Sequence, residues 1–183
     1  MKRAQAWVLW YTIAMELTDS IAAKHRFARF AAMAIFAINL GAKNAEEKNK
    51  MARVLIIATN YGSWAEELQA PWDACKKAGF EVTLATPQGK KPLPFAISVD
   101  PDFVDPIQNV KTNPEWVCNR CKELLAGDEW AHPKKFSEVN MDDYDAITMA
   151  GGPGVTLDLC NSWELHQLIL KAVKQDKIVG ALC

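Results

Sequence analysis

Residues 51–86 read MARVLIIATNYGSWAEELQAPWDACKKAGFEVTLAT, and they contain the clearest structural pattern of the chain. Residues 54–58 form a continuous apolar run without alternation, which is typical of a strand buried on both faces of a parallel sheet. Residues 80–85 predict a second strand, and the segment between the two has the period of a helix. A strand, a helix and a second strand of this length predict a right-handed parallel crossover.

The helix between these strands has recognisable ends in the sequence. Ser63 and Glu66 have the spacing of a capping box, in which the hydroxyl and the carboxylate each satisfy a free backbone amide. Gly79 is expected to end the helix. Pro71 lies inside it, where a proline costs about 3 kcal/mol unless the helix bends. We therefore expect a bend that repositions Glu67, which has no capping role.

The same alternation continues to the end of the chain. Residues 146–150 and 178–182 predict two more strands. Residues 86–112 contain six prolines or glycines and no sustained period, which indicates a long excursion of the kind associated with binding sites and lids. Strands that alternate with helices predict an α/β fold with a doubly wound, flavodoxin-like parallel sheet.

Two later helices are predicted from their starting residues. Asn113 and Pro114 are suitable as the N-cap and the first residue of a helix that ends at Gly127. Ser162 is suitable as the N-cap of a helix whose apolar residues follow at helical spacing.

Residues 1–50 differ in composition from the rest of the chain. Their two apolar runs, residues 7–15 and 30–38, are shorter than the roughly 20 residues that a membrane helix needs, so we expect no membrane interaction. Acidic residues after the first run weaken a targeting signal. The polar residues 43–50 form a predicted linker. We expect an N-terminal extension at 1–50, with a peripheral helix as the alternative, and an α/β domain at 51–183.

Charge and cysteine usage limit the classes of partner and compartment. The chain has 183 residues, of which 21 are basic and 22 acidic, so no global field favours nucleic acid, and we expect none to bind. The five cysteines are an odd number without the spacing of a disulfide scaffold. We interpret them as free thiols in a reducing compartment and expect the protein in the cytoplasm.

Three segments follow predicted strands: residues 60–67, residues 150–154 and Cys183. The carboxyl ends of parallel strands share one edge of the sheet, so these segments are expected to meet there. Cys183 ends the run IVGALC, and a cysteine at a strand-to-helix turn is a nucleophile elbow with a lowered thiol pKa. A buried structural cysteine is the alternative.

The glycine-rich turn at residues 151–154 (GGPG) would let backbone N–H groups approach a ligand and form an oxyanion hole, with a plain turn as the alternative. Neither this turn nor the one at residues 61–63 has the spacing of a dinucleotide site. Cys118 and Cys121 have C-x-x-C spacing, but no second pair of ligands is present, so we expect no metal and interpret Cys121 as a core residue.

Three segments together resemble a known family. Residues 54–89 (VLIIATNYGSWAEELQAPWDACKKAGFEVTLATPQG), 143–154 (DYDAITMAGGPG) and 177–183 (KIVGALC) are similar to the ThiJ/PfpI superfamily, most closely to its glyoxalase III-like and chaperone-like branch. The resemblance covers residues 51–183. It implies that Cys183 is the nucleophile, that Glu67 hydrogen-bonds its thiol, and that Gly152 supplies an oxyanion-hole amide.

The resemblance has one departure at Cys183. Family members continue Cys-His-Gly and then add further helices and strands, whereas this sequence stops at the cysteine. The histidine beside the nucleophile and the helix that would tune the thiol are therefore missing from these 183 residues. We expect a fragment of a longer gene product, inactive by itself.

Three functions are compatible with this resemblance. The leading one is a cysteine-dependent enzyme without a cofactor that converts small reactive aldehydes such as methylglyoxal to hydroxy acids, as a homodimer. The alternatives are a PfpI-like peptidase or amidase that uses the same residues, and a redox-responsive chaperone. The long excursion at residues 86–112 favours the glyoxalase and chaperone branch over the compact peptidases.

Overall fold

The computed structural model describes residues 51–182, which contain a five-stranded sheet. The strands of this range are β1 Arg53–Ile57, β2 Glu81–Thr86, β3 Val104–Asp105, β4 Val110–Lys111, β5 Lys134–Lys135, β6 Ala146–Met149 and β7 Ile178–Ala181. The sheet has the order β5-β2-β1-β6-β7, and all of its neighbouring strands are parallel. Strands β3 and β4 form a separate antiparallel pair.

Helices cover both faces of this sheet. They are α1 Ala65–Lys77, α2 Glu115–Ala126, α3 Val155–Asp158 and α4 Trp163–Lys174. Helices α1 and α2 pack in one apolar cluster with the sheet, and α4 packs in a second cluster. The predicted doubly wound, flavodoxin-like α/β fold is confirmed. Of the helices in residues 51–182, none is long and apolar enough to cross a membrane.

The central strand β1 explains the continuous apolar run in the sequence. Val54 and Ile56 point into the cluster with α1 and α2, while Leu55 and Ile57 point into the cluster with α4. All four side chains are completely buried. Burying each one contributes about 1.5–3 kcal/mol, and both faces of a central strand must therefore be apolar.

The predicted strands are confirmed to within one residue at each end, and so are two helix ends. Gly79 has φ +79°, its N–H donates to the Lys76 carbonyl at 3.0 Å, and the Phe80 N–H donates to the Cys75 carbonyl at 3.0 Å. This pair of hydrogen bonds is a Schellman motif, which satisfies the last carbonyls of α1. The Ser162 hydroxyl accepts from the third amide of α4, as expected of its N-cap.

The expected start of α2 at Asn113 is wrong. The N-cap is Pro114, with an extended backbone and no side-chain hydrogen bond. The Asn113 side chain instead donates to the carbonyls of Ile97 and Asp100, at 2.6 and 2.8 Å. The Asn113 Oδ1, which is the atom a cap would use, accepts instead from the Thr112 hydroxyl at 3.4 Å.

The long excursion at residues 86–112 is ordered and lies against the start of α1. It contains a 3-10 turn at Ala96–Val99 and the β3–β4 pair. Its Leu93 carbonyl accepts from the Ser63 N–H at 3.0 Å, and the Phe95 N–H donates to the Ser63 carbonyl at 2.8 Å. The excursion thus adds a short parallel bridge beside the turn that follows β1.

Candidate active site

Backbone hydrogen bonds join the turn after β1 to the turn after β6. The Trp64 N–H donates to the Gly151 carbonyl at 3.0 Å, and the Gly154 N–H donates to the Gly62 carbonyl at 3.1 Å. Because β1 and β6 are adjacent and parallel, both turns leave the sheet at the same edge. The structure therefore brings together two of the three segments that were expected to meet there.

Gly152 lies where these two turns come close together. Its φ is +118°, and an added Cβ would collide with the Trp64 nitrogen and lie 2.5 Å from the Gly62 carbonyl oxygen. Only glycine avoids both the contact and the backbone strain. The Gly152 N–H donates no hydrogen bond to any residue of the described range. Its role as an oxyanion-hole donor stays a prediction.

Glu67 is the third residue of α1 and is buried, with 2% of its surface exposed. Its neighbour Glu66 is buried as well. A carboxylate in the first turn is favoured by the helix dipole. Pro71 lies one turn later and has no N–H to donate to the Glu67 carbonyl. Helix α1 nevertheless continues across it, and the bend expected there stays a prediction.

The predicted capping box of Ser63 and Glu66 is wrong. The Ser63 N–H, which the Glu66 carboxylate was expected to satisfy, donates to the Leu93 carbonyl. The Ser63 hydroxyl accepts from the Thr59 N–H at 3.3 Å, within the turn after β1. The N-cap of α1 is Trp64, which provides no side-chain hydrogen bond. Glu66 is thus a buried carboxylate of the first turn and does not cap the Ser63 N–H.

The first amide of α1 has a different partner, which the sequence did not reveal. The Ser98 hydroxyl accepts from the Ala65 N–H at 3.0 Å and donates to the Phe95 carbonyl at 2.6 Å. Ser98 lies 33 positions after Ala65, in the 3-10 turn of the excursion. No local pattern connects residues at that separation, because capping motifs are defined within a few residues.

Cys183 lies outside the described residues, and the nucleophile elbow expected there stays a prediction. The preceding residue, Leu182, extends the pairing of β7 with β6, since its N–H donates to the Met149 carbonyl at 3.0 Å. Met149 is the last residue of β6 and comes two residues before Gly151. The chain at residue 182 therefore leaves the sheet at the same edge as the glycine turn.

Three other thiols are buried side chains with raised pKa values. Burial raises the pKa of Cys75 to about 11, and burial together with the nearby Cys118 raises the pKa of Cys121 to about 12. Burial also raises the pKa of Cys118. Such thiols carry almost no thiolate at neutral pH. The interpretation of Cys121 as a core residue is confirmed. Cys160 is exposed.

Neither of the two histidines in residues 51–182 forms a side-chain hydrogen bond at this edge of the sheet. His132 precedes β5, His166 lies on α4, and both are exposed. Within residues 51–182, no three side chains of the His, Cys, Asp and Glu types are arranged to hold a metal ion.

Asn60 and Asp158 form hydrogen bonds that connect the turns at this edge of the sheet. Neither residue was singled out individually from the sequence. The Asn60 N–H donates to Asp158 Oδ2 at 2.8 Å, which ties α3 to the turn after β1. The buried Asn60 side chain donates to the Lys90 carbonyl at 2.9 Å and accepts from the Gln88 N–H at 3.0 Å. An asparagine three residues after the end of a buried strand is a detectable signal for such a hydrogen-bonding role. Asp158 has none, because it lies 98 positions away.

Comparisons with known proteins give a family and a fold. The model of the family described as ThiJ/PfpI family-like matches residues 58–183. The rapid encystment protein 24 kDa of Francisella tularensis is similar in structure, with a TM-score of 0.58 and 21% identity, over 73% of this chain and 59% of that one. Glyoxalase III of Candida albicans is similar with a TM-score of 0.53 and 22% identity, over 73% and 57%. At these identities the similarity shows the fold alone. No curated protein matches.

Proposed function

Since the chain belongs to the ThiJ/PfpI-like family, we propose that it is a cysteine-dependent enzyme that acts on small reactive carbonyls and requires no cofactor. The proposed reaction converts methylglyoxal to lactate. The groups proposed to carry it out are the Cys183 thiolate, the Glu67 carboxylate and the Gly152 N–H. The chain spans 57–59% of the length of the two similar proteins, one of which is a glyoxalase III.

The observation that carries this proposal is the position of Glu67. A buried carboxylate is costly to maintain unless it is paired, and active sites use such burial to tune proton-transfer groups. Glu67 lies in the first turn of the helix that follows β1. The same sheet edge carries Gly152 and residue 182. A buried carboxylate, a glycine and the residue before Cys183 thus follow the neighbouring strands β1, β6 and β7 at one edge of the sheet.

Each step of the proposed reaction uses one of these groups. The Cys183 thiolate attacks the aldehyde carbon, which forms a C–S bond, and the oxyanion of the hemithioacetal accepts a hydrogen bond from the Gly152 N–H. Glu67 removes the proton from this carbon and returns it to the neighbouring carbon through an enediol, which yields a thioester. Water then hydrolyses the thioester to lactate and releases the thiolate. One carbon is oxidised while its neighbour is reduced, so the reaction needs no external oxidant.

The test measures lactate formed from methylglyoxal by the full gene product. Cys183→Ser should abolish conversion, because a serine hydroxyl is not ionised at neutral pH. The matched control is Cys160→Ser, which changes an exposed thiol and should retain full activity. Full activity in Cys183→Ser would overturn the proposal. Suppression of aggregation that persists in Cys183→Ser without any turnover would favour the chaperone alternative.

We also propose that the enzyme is a cytoplasmic homodimer. Sedimentation of the full gene product as a monomer at micromolar concentration would contradict this assembly.

A further inference from the structure

The start of α1 depends on a hydroxyl from a distant part of the chain. The first amides of a helix have no partner inside it, and the N-cap Trp64 supplies no side-chain acceptor. The Ser98 hydroxyl accepts from the Ala65 N–H at 3.0 Å and is itself held by the Phe95 carbonyl at 2.6 Å. Ser98 is 1% exposed, so water does not replace it.

The loop that carries Ser98 is fixed to the same turn by other contacts. Ser63 exchanges two backbone hydrogen bonds with Leu93 and Phe95, at 3.0 and 2.8 Å. The rings of Trp64 and Phe95 lie 6.3 Å apart. On the other side, the Asn113 side chain holds the carbonyl of Ile97, next to Ser98. The Ser98 hydroxyl is therefore a fixed acceptor that sets the position of the first turn of α1.

We propose that Ser98 is a positioning residue for Glu67, an inference that rests on the function proposed above. Ala65 and Glu67 are the first and third residues of α1, so they share the turn that Ser98 anchors. Loss of the hydroxyl leaves a buried amide without its acceptor, and the turn shifts or frays to satisfy it. A misplacement of about 1 Å in a catalytic group can cost about 100-fold in rate.

The test compares Ser98→Ala with Ser162→Ala. Each variant removes a serine hydroxyl that accepts from a first-turn amide, but Ser162 belongs to α4 on the opposite face of the sheet. We expect Ser98→Ala to lower kcat about 10- to 100-fold with little change in KM, because positioning acts on the proton-transfer step. Ser162→Ala should lower the denaturation midpoint similarly and leave kcat unchanged. Ser98→Thr, which keeps the acceptor, should restore kcat.

A second measurement does not depend on turnover. The NMR signal of the Glu67 carboxyl carbon is identified by its absence in Glu67→Gln. It is then followed against pH in the wild type and in both serine variants. We expect the pH titration curve of this signal to differ from that of the wild type in Ser98→Ala and to match it in Ser162→Ala. If the curve moves but no variant converts aldehydes, the proposed function fails and the positioning role stands. If wild type turns over methylglyoxal while the two serine variants give equal kcat values and unmoved curves, the positioning role is overturned.

Discussion

Glu66 and Glu67 are adjacent buried carboxylates for which different roles are expected. Both lie in the first turn of α1, so Glu66→Gln and Glu67→Gln should each lose a charge–dipole interaction of about 0.3–1 kcal/mol. Only Glu67→Gln should also lose activity, by about 10²- to 10⁴-fold, because an amide cannot carry the proton. Denaturant unfolding and lactate formation measure the two effects. Equal losses of activity in both variants would remove the proton-transfer role.

The buried thiols Cys75 and Cys121 give a prediction for pH dependence. Burial raises their pKa values to about 11 and about 12, while in the unfolded chain both return to about 8.5. The unfolded state therefore loses its protons first, and native stability should be complete below about pH 8.5 and fall as pH rises through these raised values. Denaturant unfolding at increasing pH tests this expectation.

The same burial predicts selective labelling at neutral pH. Iodoacetamide should spare Cys75 and Cys121 in the native protein and modify both in urea, whereas the exposed Cys160 should react in either state. Mass spectrometry identifies the modified positions. Rapid native labelling of Cys75 or Cys121 would show that this core opens readily.

Alanine substitutions at Gly152 and Gly79 distinguish the cost of backbone strain from the cost of a steric clash. Gly79 has φ +79° and no atom within 4 Å of an added Cβ, so Gly79→Ala should cost about 1–2 kcal/mol from conformation alone and leave activity intact. At Gly152, an added Cβ would also collide with the turn after β1. Gly152→Ala should therefore cost more stability than Gly79→Ala and abolish turnover. Equal costs in denaturant unfolding would contradict the close approach of the two turns.

Among the elements, the excursion at residues 86–112 is held by one buried and one exposed polar contact, which should contribute very different amounts to the free energy of unfolding. Asn113 is buried and donates to two carbonyls, so Asn113→Ala should cost about 1–3 kcal/mol by leaving them unsatisfied. Asp102 forms an ion pair with Lys111 at 2.7 Å, but both side chains are exposed. Asp102→Asn should not measurably change the unfolding free energy. A loss in Asp102→Asn as large as that in Asn113→Ala would contradict this account.

Elements whose determinants are local were predictable from the sequence, and those with distant partners were not. Strands β1, β2, β6 and β7 followed from buried apolar runs, and the ends at Gly79 and Ser162 followed from motifs only a few residues long. The cap of α1 was wrongly assigned, because its acceptor is Ser98, far along the chain. Strand β5 has only two lysines, and its pairing with β2 leaves no apolar pattern to detect.

In the whole molecule, the meeting of the turns after β1 and β6 was predictable because sheet topology determines which segments meet. Parallel strands direct their carboxyl ends to one edge, so residues after β1, β6 and β7 could be grouped before any distance was known. The glycine turn and the turn after β1 are bonded to each other as that rule predicts. The rule does not predict which side chains connect the turns by hydrogen bonds, as Asp158 does with the Asn60 N–H. Any polar side chain of suitable length could form such a bond.

The last prediction concerns residues 1–50, which we expect to be dispensable for the α/β fold. Within the described residues 51–182, the sheet begins at Arg53, and β1 already has a strand on each side and an apolar cluster on each face. Trypsin should therefore cleave the native full gene product first within residues 43–50, at Lys43, Lys48 or Lys50. Mass spectrometry should then show a resistant product that begins shortly before β1.

Deletion of residues 1–50 provides the quantitative form of this test. The unfolding free energy should change by less than about 1 kcal/mol, the range of changes that remove no buried contact. Lactate formation from methylglyoxal should be retained, because Glu67, Gly152 and Cys183 all lie in the remaining chain. The alternative of a peripheral helix packed on the domain predicts a loss of more than about 3 kcal/mol, since its tryptophans at positions 7 and 10 would leave a buried interface. A loss of that size, with cleavage in 43–50 suppressed, would assign the N-terminal residues to the folded domain.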